Sequence, residues 1–230
     1  MEAVILAGGK AERLGEAAAG RPKALVELGG RPLAAYQVDQ LARAGVERVL
    51  VSCAAGQDGL FEAALGGLGP EVVAVPEPEP LGRGGGIAFA ARQRREGGDL
   101  FALNGDELVD VELSRLLEHH RSGDAAATIT VVPLRSPFGV VELDDGDHVT
   151  GFREAPRLEH WVSCGVYVLG EDALERFPER GDHETTTFPE LAAEGRLRAL
   201  RHEGIWLTVN TPKDLRVASE YLAEHPGWPA

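Results

Sequence analysis

The sequence predicts an α/β fold, a parallel sheet with helices packed over it. Three observations point there. The first half alternates strand-patterned and helix-patterned segments four times, the order that yields parallel strands joined by right-handed crossovers. Near its start the chain has a short apolar run, Val4-Ile5-Leu6-Ala7, that breaks abruptly at Gly8-Gly9, as a buried strand does where it meets the sheet rim. And 230 residues at 43% hydrophobic suffice for one α/β domain with a proper core.

After the opening strand and its loop, Pro32–Ala44 spaces Leu33, Tyr36, Val38 and Leu41 as a helix does, with Pro32 suited to the first turn and Gly45 to the stop. Val46–Cys53 reads as a strand, Gly56–Leu68 as a short helix with a Gly-rich exit, and Val72–Val75 as a strand. The run Pro76-Glu77-Pro78-Glu79-Pro80 cannot be helical and reads as an extended loop. Gly82–Arg95 resumes as a helix, and Asp99–Asn104 is a strand ending at Gly105-Asp106. Both Gly8-Gly9 and Asp106 therefore fall at strand carboxyl ends, where open α/β sheets bind ligands.

The second half predicts a helix at Leu113–His120 and strands at Ala125–Leu134 and Trp161–Leu169. Between those strands, Phe138–Leu143 and His148–Arg153 flank the turn Asp144-Asp145-Gly146-Asp147 as a hairpin. Two short helices near 172–177 and 187–194, strands at Leu197–His202 and Ile205–Val209, and a helix over Thr211–His225 complete the chain. No internal repeat breaks it, so one domain is expected over 1–230.

The net charge of −14, from 23 basic and 37 acidic residues, argues against a nucleic-acid surface. No run approaches the ~20 apolar residues of a membrane span, and no signal peptide is read, so a cytoplasmic location is expected. Cys53 and Cys164 sit in apolar runs and read as small buried hydrophobes. In this acidic chain, positive charge gathers on the first loop. It holds Lys10, Arg13, Arg21 and Lys23, two of the chain's three lysines among them. A tight Gly turn with cations beside it suits a polyphosphate. A plain strand-to-helix connection is the bland alternative. The loop fits neither the Walker A spacing nor a dinucleotide fingerprint. Asp106, exposed at a strand end beside Gly105, is either a Mg²⁺ ligand or part of an Asx-type turn. Asn210, before Thr211-Pro212, is either a second ligand or a helix cap. No Ser/His/Asp or Cys/His arrangement is evident.

Leu6-Ala7-Gly8-Gly9 with Arg13-Leu14, followed by Pro22-Lys23-Ala24-Leu25, resembles the signature of the nucleotidyltransferases that activate sugar 1-phosphates. Leu81-Gly82-Arg83-Gly84 resembles that family's base- and ribose-holding loop, and Gly105-Asp106 its metal motif. Pro137–Glu142 through Phe152–Pro156 and Ser163–Tyr167 resemble its acceptor half, and the resemblance spans nearly the whole chain. It implies a Rossmann-like three-layer α/β/α fold with a mostly parallel mixed sheet and a small β-hairpin excursion on the acceptor side. It divides the domain into a nucleotide-binding half, 1–110, and an acceptor-binding half, 111–230.

The implied reaction moves a nucleoside monophosphate from a nucleoside triphosphate to a phosphorylated small-molecule acceptor, first of all a sugar 1-phosphate, and releases pyrophosphate. Arg13 and Lys23 are the implied catalytic cations. Leu6, Ala7, Gly8, Gly9, Lys10, Gly82, Arg83 and Gly84 are implied at the nucleotide, Gly139, Glu154 and Gly165 at the acceptor, and Asp106 with Asn210 at Mg²⁺. The chain departs from the family pattern at Ala11, where a third glycine is usual, at Ala155, where the acceptor-side lysine is usual, and at Thr208, where the hexose branch has a metal-binding aspartate. Arg153 or Arg157 is the expected replacement for the missing lysine. Val209-Asn210-Thr211-Pro212 also resembles the molybdenum-cofactor guanylyltransferases. The three departures leave room for a non-catalytic nucleotide- or nucleotide-sugar-binding regulator. Neither a membrane nor a nucleic-acid partner is expected, and a homo-oligomer is compatible with the sequence. No β-helix repeat is read after the domain, so no fused acyltransferase is expected.

Overall fold

A computed structural model describes residues 1–9 and 11–228. Strand β1 (Glu2–Leu6) lies between β4 (Arg48–Ala54) and β6 (Leu100–Asn104), parallel to both, and β5 (Glu71–Glu77) extends the sheet beyond β4. The crossovers carry helices α1 (Leu33–Arg43), α2 (Asp58–Leu65) and α3 (Gly82–Ala91), after a two-residue hairpin of β2 (Glu27–Leu28) and β3 (Arg31–Pro32). Past β6, a short β7 (Glu107–Val109) and helix α4 (Leu113–Arg121) lead to β8 (Ala127–Arg135). The excursion β9 (Val140–Leu143) and β10 (Val149–Arg153) is a separate two-stranded sheet. Strand β11 (Arg157–Leu169) then returns between β8 and β6, antiparallel to both. Helices α5 (Glu171–Glu175) and α6 (Thr187–Ala193) precede β12 (Leu197–Arg201), which pairs parallel with β8 at the far edge. A last strand β13 (Trp206–Thr208) pairs with β7, and α7 (Pro212–Glu224) closes the chain. The result is a mostly parallel seven-stranded mixed sheet in the order β12-β8-β11-β6-β1-β4-β5.

Strand alternation makes the layers. Side chains of successive strand residues face opposite ways, and here they divide between two buried clusters. Ala3, Ile5, Val49, Val51, Phe101 and Leu103 pack under α1, α2 and α4. Val4, Leu50, Leu100, Ala102, Tyr167 and Leu169 pack under α3, α5 and α6. Both clusters draw on residues from each half of the chain, so the sheet runs unbroken through it. A third cluster ties Leu14, Ala18, Leu28 and Tyr36 to Ala218, Leu222 and Trp228, fixing the first loop against α7.

The structure corrects several boundaries. Strand β5 runs two residues into the Pro76–Pro80 stretch. It is an edge strand, and an edge tolerates the donor that Pro76 lacks. Strand β11 begins at Arg157, four residues before the apolar run that announces it, because its first turnings pair only with the end of β8. Strand β7 and the hairpin of β2 and β3 are too short to carry a pattern.

Candidate active site

The carboxyl ends of β1 and β6 lie side by side, Leu6 opposite Asn104. Above them opens a cavity of about 760 Å³. Its floor and walls include Leu6, Ala7, Gly8, Gly9, Arg13, Lys23, Gly82, Arg83, Asp106 and Asn210. Sequence reasoning had named all ten. Lys10 lies outside the described residues.

Local structure explains the convergence. The turn after β6 closes when the Gly105 N–H donates to the Leu6 carbonyl at 2.9 Å. A Cβ at Gly105 would stand 2.7 Å from that oxygen, so only glycine lets the two strand ends approach. Asp106 follows directly. Its carbonyl accepts from Val209 N at 2.9 Å, and the register Thr208 opposite Glu107 sets Asn210 beside it. Lys23 arrives on a short 3₁₀ turn, Lys23–Leu25, whose Ala24 and Leu25 are buried anchors. Its Nζ donates to Asp106 Oδ2 and to Asn210 Oδ1, both at 2.5 Å.

The two readings of Asn210 separate here. Thr211 caps α7: its side chain accepts from Asp214 N, and Asp214 accepts from the Thr211 and Asn210 N–H groups. The Asn210 side chain is left to face the cavity. Asp106 and Asn210 thus present two oxygens to a single point, now taken by an ammonium. Oxygen donors with one carboxylate suit Mg²⁺ that also carries phosphate oxygens and water. Among the described residues no group of three or more His, Cys, Asp or Glu side chains could hold an ion without such help.

Other members of the wall were not named from sequence. Glu77 is 6% exposed and accepts from Ser52 Oγ at 2.7 Å and from Leu81 N at 2.9 Å. It links Ser52 of β4 to the start of α3 beside Gly8, and the first residues of α3, Gly82 and Arg83, bring a helix N-terminus to the cavity. Its only sequence trace is an acid inside a proline run. Gly84 is buried instead against the Pro178 side chain and His183 N, off the cavity wall. Arg21 turns away from the site to Glu27, at 2.5 Å.

A second cavity of about 480 Å³ adjoins the first and shares Arg83, Asn104 and Glu107 with it. Ser163, Glu184 and Phe188 line its far side. Arg83 is bound there by Asp182 and, at 2.7 Å, by Glu184. Glu107 sits at the junction and accepts from Trp206 Nε1 at 3.3 Å. Burial, and then the neighbouring Asp106 charge, push its carboxyl up to about 7. Gly165 touches this junction. Its φ is +69°, and a Cβ would fall 2.4 Å from both Asn104 Nδ2 and Glu107 Oε2. Gly139 and Glu154 meet each other on the hairpin, outside the lining of either cavity. Arg153 pairs with Glu142 and Arg157 with Glu203, and neither lines a cavity. Asn104 and Ser163 begin or adjoin motifs already read, Gly105-Asp106 and Ser163–Tyr167, while Glu184 lies in none and is brought here only by contacts across the sheet.

The cysteines are free and buried, and burial with nearby acids pushes their thiols up to about 11 at Cys53 and about 12 at Cys164. Both side chains are shut away from solvent. Among the described residues no helix is long and apolar enough to cross a membrane.

A glycine turn, cations and oxygen donors gathered at the carboxyl ends of a parallel sheet suit a phosphate-bearing ligand, and comparison with known proteins gives the family. The chain belongs to the nucleotidyl transferase family, whose family model matches residues 2–225. It is 32% identical over 226 residues to the mannose-1-phosphate guanylyltransferase of Mycobacterium tuberculosis (strain ATCC 25618 / H37Rv), covering 93% of this chain and 62% of that protein. To the mannose-1-phosphate guanylyltransferase catalytic subunit beta of Xenopus tropicalis it is 30% identical, covering 99% of this chain and 68% of that one. The chain therefore spans about three fifths to two thirds of the length of these relatives. Among solved structures, HddC from Yersinia pseudotuberculosis complexed with GMP-PN superposes with a TM-score of 0.73 at 23% identity, over 96% of this chain and 99% of that one, a likeness of fold.

Proposed function

We propose that this protein transfers a nucleoside monophosphate from a nucleoside triphosphate to a sugar 1-phosphate and releases pyrophosphate. The observation that carries this reading is the Lys23 ammonium held between Asp106 and Asn210 beneath the Gly8-Gly9 turn. Cation, metal-type oxygens and anion-binding backbone all meet in one cavity. The similarity to mannose-1-phosphate guanylyltransferases supports guanine as the base and mannose 1-phosphate, or a close hexose, as the acceptor.

The triphosphate lies along the β1 turn with Arg13 at its outer phosphates. The acceptor sugar occupies the second cavity, and its phosphate reaches the junction that the two cavities share. An acceptor oxygen attacks the α-phosphorus, the bond to the β-phosphate oxygen breaks, and that electron pair leaves with pyrophosphate. The nucleophile is already anionic near neutral pH, so no general base is required. The protein's work is alignment and charge neutralisation. Lys23 follows the charge that builds on the α-phosphate, and Arg13 holds the leaving pyrophosphate. Asp106 and Asn210 would hold a divalent ion, for which Mg²⁺ fits the oxygen set, and bound there it would offset phosphate charge.

Asp106→Ala and Lys23→Ala test these roles. Removing one preorganised charge from a transition state costs a few kcal/mol, roughly 10²–10³ in rate. Metal-dependent pyrophosphate release should fall by at least that much while the thermal melt stays put. Full turnover in both variants would sink the assignment.

A further inference from the structure

We propose that Gln37 is a positioning residue for the ion site: from helix α1 it clamps the backbone on both sides of Gly105-Asp106 and so fixes where the Asp106 carboxylate stands. This rests on the reading of Asp106 and Asn210 as ligands of a divalent ion.

Helix α1 is buried on most of its sides, and two of its buried side chains are amides. Gln37 is 2% exposed and Gln40 8%. An amide shut away from water is destabilising unless it is hydrogen-bonded. Each has two N–H donors on one nitrogen, and each directs both at the same stretch of backbone. Gln37 Nε2 donates to the Asn104 carbonyl at 2.7 Å and to the Glu107 carbonyl at 2.8 Å. Gln40 Nε2 donates to the Val109 carbonyl at 2.8 Å and to the Val111 carbonyl at 2.7 Å. Residues three apart share a helix face, so the two amides form a ladder along residues 104–111.

The first rung brackets Gly105-Asp106. Two carbonyls three residues apart accept from one nitrogen, which holds the two ends of the turn together. The turn's other anchors come from elsewhere: Gly105 N–H donates to the Leu6 carbonyl, and the Asp106 carbonyl accepts from Val209 N, both at 2.9 Å. Thus β1, α1 and the segment after β13 each grip the turn. The carboxylate depends on that grip. Its side chain is 32% exposed, and Lys23 Nζ, the group bonded to it, stands where an ion would bind. A single methylene separates the Asp106 carboxyl from its backbone, so a shift of the turn carries the oxygens with it. Mg²⁺ tolerates little of this, because it demands near-octahedral ligands at about 2.1 Å. The second rung repeats the chemistry away from the site: Val109 and Val111 are buried and line neither cavity.

Gln37→Met and Gln40→Met each remove two buried hydrogen bonds and keep an unbranched side chain, so their urea midpoints should fall alike. Mn²⁺ binding, read by electron paramagnetic resonance, should separate them. Groups that orient metal ligands are worth about 10–100-fold in metal affinity. Gln37→Met should therefore bind Mn²⁺ at least about 10-fold more weakly than the parent, and Gln40→Met should match the parent. Asp106→Ala is the reference. A parent that binds Mn²⁺ no better than Asp106→Ala would overturn the ion site and this role with it. A parent that binds Mn²⁺ at Asp106, with Gln37→Met unchanged or both methionine variants weakened equally, would overturn the role alone. The parent also answers without any substitution, should Gln37→Met not fold. Mg²⁺ should shift the nuclear magnetic resonance signals of the Gln37 side-chain NH₂ and leave those of Gln40 in place. Equal shifts at both, or none at Gln37, would overturn the proposal.

Discussion

Replacing Lys23 with methionine should make the protein bind a divalent ion more tightly in the absence of nucleotide. The ammonium sits 2.5 Å from both Asp106 Oδ2 and Asn210 Oδ1, the oxygens an ion would need. Two unit charges 4 Å apart interact by about 1 kcal/mol in water and about 4 kcal/mol at the effective dielectric of protein surfaces, and a divalent ion doubles either figure. Lys23 is 12% exposed and Asp106 32%, so the site lies between those limits. Taking only the watery limit, about 2 kcal/mol of repulsion disappears, which is roughly 30-fold in affinity. Mn²⁺ titration followed by electron paramagnetic resonance reads this directly. Arg13→Met is the control, since Arg13 lines the same cavity without bonding either oxygen. A triphosphate should narrow the gap, because it supplies oxygens and draws the ammonium to itself. Unchanged Mn²⁺ affinity in Lys23→Met, or an equal gain in Arg13→Met, would refute the reasoning.

Two buried groups give opposing pH slopes. Burial lowers His183 to about 4, so protons bind the unfolded chain first and stability falls as pH drops from about 6.5 towards 4. Glu107, raised to about 7, does the reverse, and stability falls as pH rises from about 4.5 to 7. Over pH 4.5–6.5 the two slopes offset in the parent, so urea melts against pH should uncover a fall in stability with rising pH in His183→Phe, a ring of similar shape for the Phe177 stack, and a fall with dropping pH in Glu107→Gln. Identical profiles in all three proteins would contradict both assignments. Gly165→Ala should cost about 1–3 kcal/mol of stability through its positive φ alone, and more through the clash at Asn104 and Glu107, measured by denaturant midpoint. Thr211→Ala should cost about 1 kcal/mol as a lost cap and leave Mn²⁺ binding in place, because Asn210 rather than Thr211 faces the cavity.

What the sequence made legible follows from what each feature rests on. Strand β1, helix α1 and β6 read clearly because burial on a sheet writes itself as local periodicity. The convergence of the Gly8-Gly9 turn, Lys23 and Asp106 on one cavity was legible because glycine and charge stand there in a short local order. The second cavity is another matter. Glu184 meets Arg83 across about a hundred positions, and Ser163 reaches the second cavity only because β11 runs antiparallel between β8 and β6. Glu184 leaves no local signal, and the Ser163–Tyr167 motif does not by itself say which cavity Ser163 lines. Asn210 is the instructive middle case: beside a proline, cap and ligand look the same in sequence. Only the Thr211–Asp214 exchange shows which residue does the capping.

Pyrophosphate release across a panel of nucleoside triphosphates and hexose 1-phosphates, with and without Mg²⁺, tests the central claim most directly. Metal-dependent release with GTP and mannose 1-phosphate or a close hexose analogue, lost in Asp106→Ala, is the predicted result. Nucleotide binding by calorimetry with no pyrophosphate from any pair would contradict it, and would make the cavity a sensor of nucleotides.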